Sequence, residues 1–368
     1  MEFNFYIPTR LIFGQGTFSA IGEETSKLGK RALLVTYPSQ SLVSYVQQAV
    51  DLLGQHGVST VVFAEATANP THTMVNRGRR LAREEGCDVV IGLGGGSPMD
   101  TAKAIAVSAP DNQDIWKIYE GAPIHSALPV VAVPPTPRTG AGATFFSGFT
   151  HPELLPVSLP PRMTAETGMD TLTHAIEAYT SRLASPISDL FAAEAIRLVG
   201  LYLRRAVANG SDLEARTHML YANTIAGIAI THADTCLAHV IGEAVGAVFA
   251  TPHGLSVSLT LPAVMEYNCM ANPAKYAGIT RLLGGGDTQN ETEAARRSPA
   301  LVRQLIRDID LPSGLSALGV SPSDEVSALA NRPGMDVSNP RSANPQAFEL
   351  LIAGSISPAM SYWEVGGK

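Results

Sequence analysis

From Arg31 onward the chain alternates short apolar runs rich in β-branched residues with stretches of helical periodicity, and this alternation restricts its possible folds most. The runs are Ala32-Leu33-Leu34-Val35, Thr60-Val61-Val62-Phe63, Asp88-Val89-Val90-Ile91-Gly92-Leu93 and Leu128-Pro129-Val130-Val131-Ala132-Val133. Helix-like stretches, Leu42 to Leu53 and Thr73 to Glu85, separate the first three. Strands without a polar side must be covered on both faces, so the first part of the chain is expected to be an α/β layer structure with a parallel sheet. After Pro160-Pro161 the pattern becomes apolar-periodic and rich in Ala, Leu and Ile from Thr164 to Met270, which predicts an all-helical second part. Consecutive prolines continue neither a helix nor a central strand. The expected division is an α/β domain over 1–158 and an all-α domain over 159–368, and 368 residues suit two domains. The polar, Gly-rich segment from Gly284 to Arg297 reads as a surface loop between helices.

Charge removes several function classes. Lys and Arg number 26 against 33 Asp and Glu, a net charge of −7, which gives no general attraction to nucleic acid or acidic membrane surfaces. Met1 to Arg10 has no basic segment followed by an apolar stretch, and no apolar run is long enough for a membrane span. Cys87, Cys236 and Cys269 are widely spaced and odd in number, as expected in a reducing compartment. These features predict a soluble cytoplasmic protein. Only 16% of residues are charged, which points to extensive buried surface and to self-association.

Asp88 to Lys103 reads DVVIGLGGGSPMDTAK: an apolar strand, a turn containing Gly94-Gly95-Gly96-Ser97, then a helix that Pro98 is placed to open. Amides at such a turn are free to face an anion, glycines allow close backbone approach, and the helix dipole favours negative charge, so a pyrophosphate is the natural guest. A tight turn that binds nothing explains a bare glycine triplet equally well, and neither the G-x-G-x-x-G nor the P-loop spacing is present. Asp100 and Lys103 follow at helical offsets, where one can bond a ribose or nicotinamide group and the other support the turn.

Asp170 and His174 lie four apart in a helical stretch, one turn apart on a single face. His239 sits in a second apolar helical stretch, and His253 follows between Pro252 and Gly254 at a turn or helix end. A single histidine is more often a hydrogen-bonded core residue than a ligand. One carboxylate and three imidazoles together instead suit Fe(II), Zn(II) or another divalent first-row ion. The remaining histidines lack such company, and no H-E-x-x-H or zinc-finger spacing occurs.

Phe13-Gly14-Gln15-Gly16, Asn69-Pro70-Thr71, GGGSPMDTAK, TAETGMDTLTHAIEAY from Thr164 to Tyr179, the stretch around His239 and Pro252-His253-Gly254 occur in one order. In that order the chain resembles, over nearly its whole length, the iron-dependent (group III) alcohol dehydrogenases. The resemblance implies an N-terminal dinucleotide-binding domain and an all-helical catalytic domain of the dehydroquinate synthase-like fold. It also implies a divalent ion in the cleft between them, held by Asp170, His174, His239 and His253. The fourteen-residue step between the last two is that of the alcohol dehydrogenases rather than the glycerol dehydrogenase branch. By the same resemblance Pro70 contacts the cofactor, Gly94, Gly95, Gly96 and Ser97 hold the pyrophosphate, and Asp100 lies near the nicotinamide. Thr136, Thr139 and Leu154 line the cofactor cleft. The implied reaction is hydride transfer between nicotinamide and a small primary alcohol or aldehyde, with the metal as Lewis acid.

The chain departs from the family pattern in three places. The loop usually written P-T-T-x-G-T-G-S-E is here Pro134-Pro135-Thr136-Pro137-Arg138-Thr139-Gly140-Ala141-Gly142, stiffer and without its acidic residue, which predicts an altered grip on the cofactor. From Phe149-Thr150 the chain passes directly to His151-Pro152-Glu153-Leu154-Leu155, where relatives carry a hairpin with a cofactor-contacting lysine. Either the protein lacks it or the sequence as given omits it. Glu243, one turn after His239, stands where many relatives have a second histidine, and is expected to relay protons, bias the metal site or bond to a ligand from outside.

After the second strand, Thr36-Tyr37-Pro38-Ser39-Gln40-Ser41 offers no carboxylate to repel a 2′-phosphate. The segment resembles that of NADP-using family members, with Ser39 and Ser41 as donors and Tyr37 among the cofactor-binding residues, and so implies NADP over NAD. The competing readings are a hydroxyacid-oxoacid transhydrogenase, a maleylacetate reductase, or a noncatalytic nucleotide-binding relative, and retention of the metal separates the last from the enzymes.

Overall fold

The computed structural model describes residues 3–13, 16–67, 70–134, 147–149, 160–286 and 290–357. The chain divides into two compact units, Ile7–Pro156 and, separately, Met1–Tyr6 with Val157–Lys368. The assignment of the first six residues differs from the uninterrupted 1–158 domain expected above. Phe5 explains it: its ring stacks on His232 and Phe191, both far along in the helical unit.

The first unit contains β1 (Leu11–Ile12), α1 (Ile21–Ser26), β2 (Arg31–Val35), α2 (Val43–Gln55), β3 (Ser59–Phe63), α3 (His72–Glu84), β4 (Val89–Leu93), α4 (Gly96–Ser108), α5 (Ile115–Tyr119), β5 (Val130–Val133) and β6 (Ser147–Phe149). Its six strands form one sheet in the order β1-β6-β5-β4-β2-β3, every neighbouring pair parallel. In register, Ala32 of β2 lies opposite Thr60 of β3 and Val89 of β4. The period of two along each strand divides the core between the two faces. Ala32, Leu34, Val89 and Ile91 pack with Phe18, Ile21, Ala49 and Leu53 on one side. Leu33, Val35 and Val90 pack with Met74, Ala82, Ala102 and Ile105 on the other. A sheet covered on both faces requires the nearly unbroken apolar runs seen in the sequence.

The second unit is helical: α6 (Pro161–Thr180), α7 (Pro186–Ala208), α8 (Leu213–Ala233), α9 (Leu237–Phe249), α10 (His253–Asn268), α11 (Pro273–Leu282), α12 (Glu291–Asp308), α13 (Asp324–Ala330) and α14 (Pro345–Ile356). Local chemistry sets several boundaries. Pro161 occupies the first turn of α6, where its missing N–H costs nothing. Ser185 and Ser188 form a reciprocal cap on α7. The segment expected to be loop through Arg297 is helical from Glu291, because the Asn290 side chain accepts from the Glu293 N–H and two glutamates occupy the first turn. One apolar core joins helices α6 through α14. All three cysteines are buried and free. Among the described residues no single helix is long and apolar enough to cross a membrane.

Candidate metal centre

Asp170 and His174 project from the same face of α6, His239 from the first turn of α9, and His253 is the first residue of α10. One ligand atom from each of the four lies within 4.8 Å of the other three. Asp170 Oδ1 is 3.8 Å from His174 Nδ1, 3.8 Å from His239 Nε2 and 3.7 Å from His253 Nε2. These separations are too long for hydrogen bonds and suit atoms that share a common guest. His174 Nδ1 and His239 Nε2 are buried without a hydrogen-bond partner, an arrangement that native interiors rarely leave uncompensated. Burial pushes the His174 imidazole down to about 3, against the opposing charge of Asp170, so the ring is neutral and keeps a lone pair to donate. Three nitrogens and one oxygen match a divalent first-row ion. Only His253, with 35% of its side chain exposed, meets solvent; the other three are nearly sealed.

Close helix contacts hold the four side chains together. A Cβ on Gly254 would lie 2.8 Å from the Glu166 carbonyl oxygen and 3.2 Å from Asp170 Cβ, so the start of α10 can touch α6 only because it carries glycine there. Thr260 of α10 donates its hydroxyl to the Ala238 carbonyl at 2.9 Å, fixing the residue beside His239. Buried threonines on α6 are satisfied within the helix: Thr167 and Thr173 each donate to the carbonyl four residues earlier.

The carboxylate bonded to His239 is Glu177. Its Oε2 accepts from His239 Nδ1 at 2.6 Å and its Oε1 accepts from the Ala238 N–H at 2.7 Å. The Glu177 side chain is 3% exposed. Burial acts to lower the basicity of His239, but the charge and hydrogen bond of Glu177, with Asp170 and Glu243 nearby, raise it overall. Glu243, expected to relay protons, bias the metal site or bond to a ligand, is exposed, and the carboxylate bond to His239 is made by Glu177. One helical turn after His239 it remains close enough to act through charge, but the bonding role falls to a residue 62 positions away in the chain. A sequence signal for Glu177 did exist: it lies seven residues after Asp170 and three after His174, on the same stripe of α6.

In the α/β unit the glycine turn joins β4 to α4 as expected. Gly94 has φ +149°, and a Cβ there would lie 2.6 Å from Pro98 Cγ. Gly95, the residue before α4, makes no side-chain cap bond, and Gly96 begins the helix. The Tyr37 ring lies against this turn, 3.4 Å from where a Gly94 Cβ would stand. Crossovers leave β2 for β3 on one side while β4 lies on the other, and the carboxyl ends at such a reversal are where open α/β sheets bind ligands. Ser39 precedes a short 3-10 turn that contains Ser41, Pro70 is exposed just before the Thr71 cap of α3, and Ser97 lies in the first turn of α4. Asp100 Oδ1 and Lys103 Nζ pair at 3.6 Å, so these two residues face one another. Thr136, Thr139 and Leu154, with the rewritten loop and the expected hairpin position, lie outside the described residues, as does the Ser41 side chain.

Residues 8–163 match the family described as iron-containing alcohol dehydrogenase, and residues 164–354 match the C-terminal part of the Fe-containing alcohol dehydrogenase family. The chain is 35% identical to a 1,3-propanediol dehydrogenase from Klebsiella pneumoniae, covering 95% of this chain and 98% of that one. It is 33% identical to an NAD-dependent methanol dehydrogenase from Bacillus methanolicus, covering 96% and 100%. The crystal structure of a 1,3-propanediol oxidoreductase superposes with a TM-score of 0.91 at 33% identity, over 97% of this chain and 100% of that one. With a parallel-sheet unit, a helical unit and a three-histidine, one-aspartate cluster all in place, the chain belongs to the iron-containing alcohol dehydrogenase family.

Proposed function

We propose that this protein is a metal-dependent alcohol dehydrogenase and aldehyde reductase that exchanges hydride between a nicotinamide cofactor and a small primary alcohol or aldehyde. The observation that carries the reading is the convergence of Asp170, His174, His239 and His253, with unpartnered nitrogens aimed into the cluster. These four residues would hold Fe(II), or Zn(II), which supplies a Lewis acid for the reacting oxygen while nicotinamide supplies or accepts the hydride. Asp170, His174 and His239 are nearly sealed from solvent, while the partly exposed His253 leaves the cluster a side at which substrate would be received. Gly94, Gly95, Gly96 and Ser97 would receive the pyrophosphate, since only a residue without Cβ tolerates the backbone at Gly94. Asp100, Pro70, Thr136, Thr139 and Leu154 complete the proposed cofactor contacts.

The absence of a carboxylate from Thr36 to Ser41 favours NADP, although the methanol dehydrogenase relative is named for NAD. A dimer or larger homo-oligomer and a cytoplasmic location belong to the same reading. Exposed Leu183, Leu190 and Leu201 on and beside α7 support self-association, which sedimentation would read directly.

The test is anaerobic purification, metal analysis, and oxidation of NADPH and NADH with short aldehydes after reconstitution with Fe(II) or Zn(II). Metal-dependent turnover that disappears in His253→Ala is expected, with kcat/KM higher for NADPH. A bound ion without turnover would redirect the search to other oxo substrates, including those of the transhydrogenase and maleylacetate reductase relatives. Neither ion nor turnover would indicate a noncatalytic family member.

A further inference from the structure

We infer that Glu177 is a positioning residue for the metal ligand His239: by accepting from Nδ1–H, it selects the imidazole tautomer whose bare Nε2 faces the other three ligands. The inference rests on the metal-binding reading proposed above.

A neutral imidazole carries its hydrogen on one nitrogen or the other, and only the unprotonated one can bind a metal. His239 Nε2 points toward Asp170 Oδ1 at 3.8 Å, whereas Nδ1 points away from the cluster to Glu177 Oε2 at 2.6 Å. A carboxylate accepts and does not donate, so this contact places the hydrogen on Nδ1. The second oxygen of Glu177 is also engaged, by the Ala238 N–H at 2.7 Å, so the carboxylate cannot rotate without losing a bond. It is buried in the same helix that carries Asp170 and His174, which couples the His239 ring to the other ligands through α6.

Glu177 also has a structural task, and the two must be separated. Cys236, the residue before α9, provides no side-chain cap, and the Oε1 bond to Ala238 supplies from α6 what α9 lacks locally. Glu177→Gln distinguishes the tasks because glutamine is isosteric but has one acceptor oxygen. If that oxygen keeps the Ala238 N–H, the amide NH2 faces His239 Nδ1, makes it the acceptor and moves the ring hydrogen to Nε2. The helix cap survives while the ligand is blocked.

The experiment compares wild type and Glu177→Gln by Co(II) titration, by melting of the metal-free proteins, and by 15N NMR of labelled histidines at alkaline pH, where the rings are neutral. Expected are a Co(II) affinity about 10–100-fold weaker in the variant, little change in the metal-free Tm, and His239 switching from the Nδ1–H to the Nε2–H tautomer. Equal Co(II) affinity in the two proteins would overturn the inference and leave the metal reading standing. Failure of wild type to bind Co(II) would overturn both. If the variant does not fold, metal-free wild type decides alone: Nδ1–H at His239 supports the role and Nε2–H refutes it.

Discussion

Gly242 of α9 lies so close to Val257 of α10 that a Cβ on the glycine would come within 2.8 Å of the Val257 backbone N and Cα and 2.7 Å of its Cγ1. The contact lies three residues after His239 and four after His253, so it helps set the spacing of two of the proposed ligands. Gly242→Ala must push two helix backbones apart, unlike a substitution facing a movable side-chain end. A loss of about 1–3 kcal/mol is expected from overpacking, together with weaker metal binding. Melting with and without Zn(II) reads both, and a variant matching wild type in each would show that the two helices separate freely.

Asp170→Asn preserves shape but removes the one negative charge among the four proposed ligands. Affinity for a divalent ion is expected to fall by more than tenfold, while the metal-free protein melts no earlier than wild type because a buried carboxylate costs desolvation. The check is Zn(II) calorimetry beside metal-free Tm. Retained affinity would place the ion elsewhere.

At the glycine turn, Gly94→Ala forces a side chain into φ +149° and against Pro98. Destabilisation of more than about 1 kcal/mol is expected, with a higher Kd for NADPH as the amides shift. Fluorescence titration of bound NADPH reads the second effect; an unchanged Kd would mean that the turn does not hold the cofactor.

Burial pushes the Lys103 amine below its ordinary 10.5, only partly offset by Asp100. Between the lowered folded value and 10.5 the unfolded chain binds a proton that the folded chain has released, so this group makes stability rise with pH in that window. Lys103→Met removes the contribution. The wild-type minus variant stability difference should therefore climb as pH rises toward 10.5; a flat difference in urea unfolding at successive alkaline pH values would refute it.

Much of the first unit was legible because a doubly covered strand is a local pattern: Val89 to Leu93 is apolar at every position and is buried at every position. The start of α12 is hidden in the sequence by the glycines before it, because the Asn290 side chain accepting from the Glu293 N–H sets the helix boundary more strongly than those glycines oppose it. Phe5 groups with the helical unit because its partners, Phe191 and His232, lie farther along the chain than the whole α/β unit is long, beyond the reach of any local pattern.

The candidate site divides in the same way. The candidate ligand types, the one-turn spacing of Asp170 and His174 and the glycine turn are all written locally, because helical periodicity and backbone sterics act over a few residues. That Glu177, rather than the nearer Glu243, bonds to His239 follows from helix packing. The side of α9 that meets α6 is set by the close approach of α9 and α10 at Gly242 and by helix packing around Gly254, and those contacts bury one carboxylate beside the ring and leave the other in solvent.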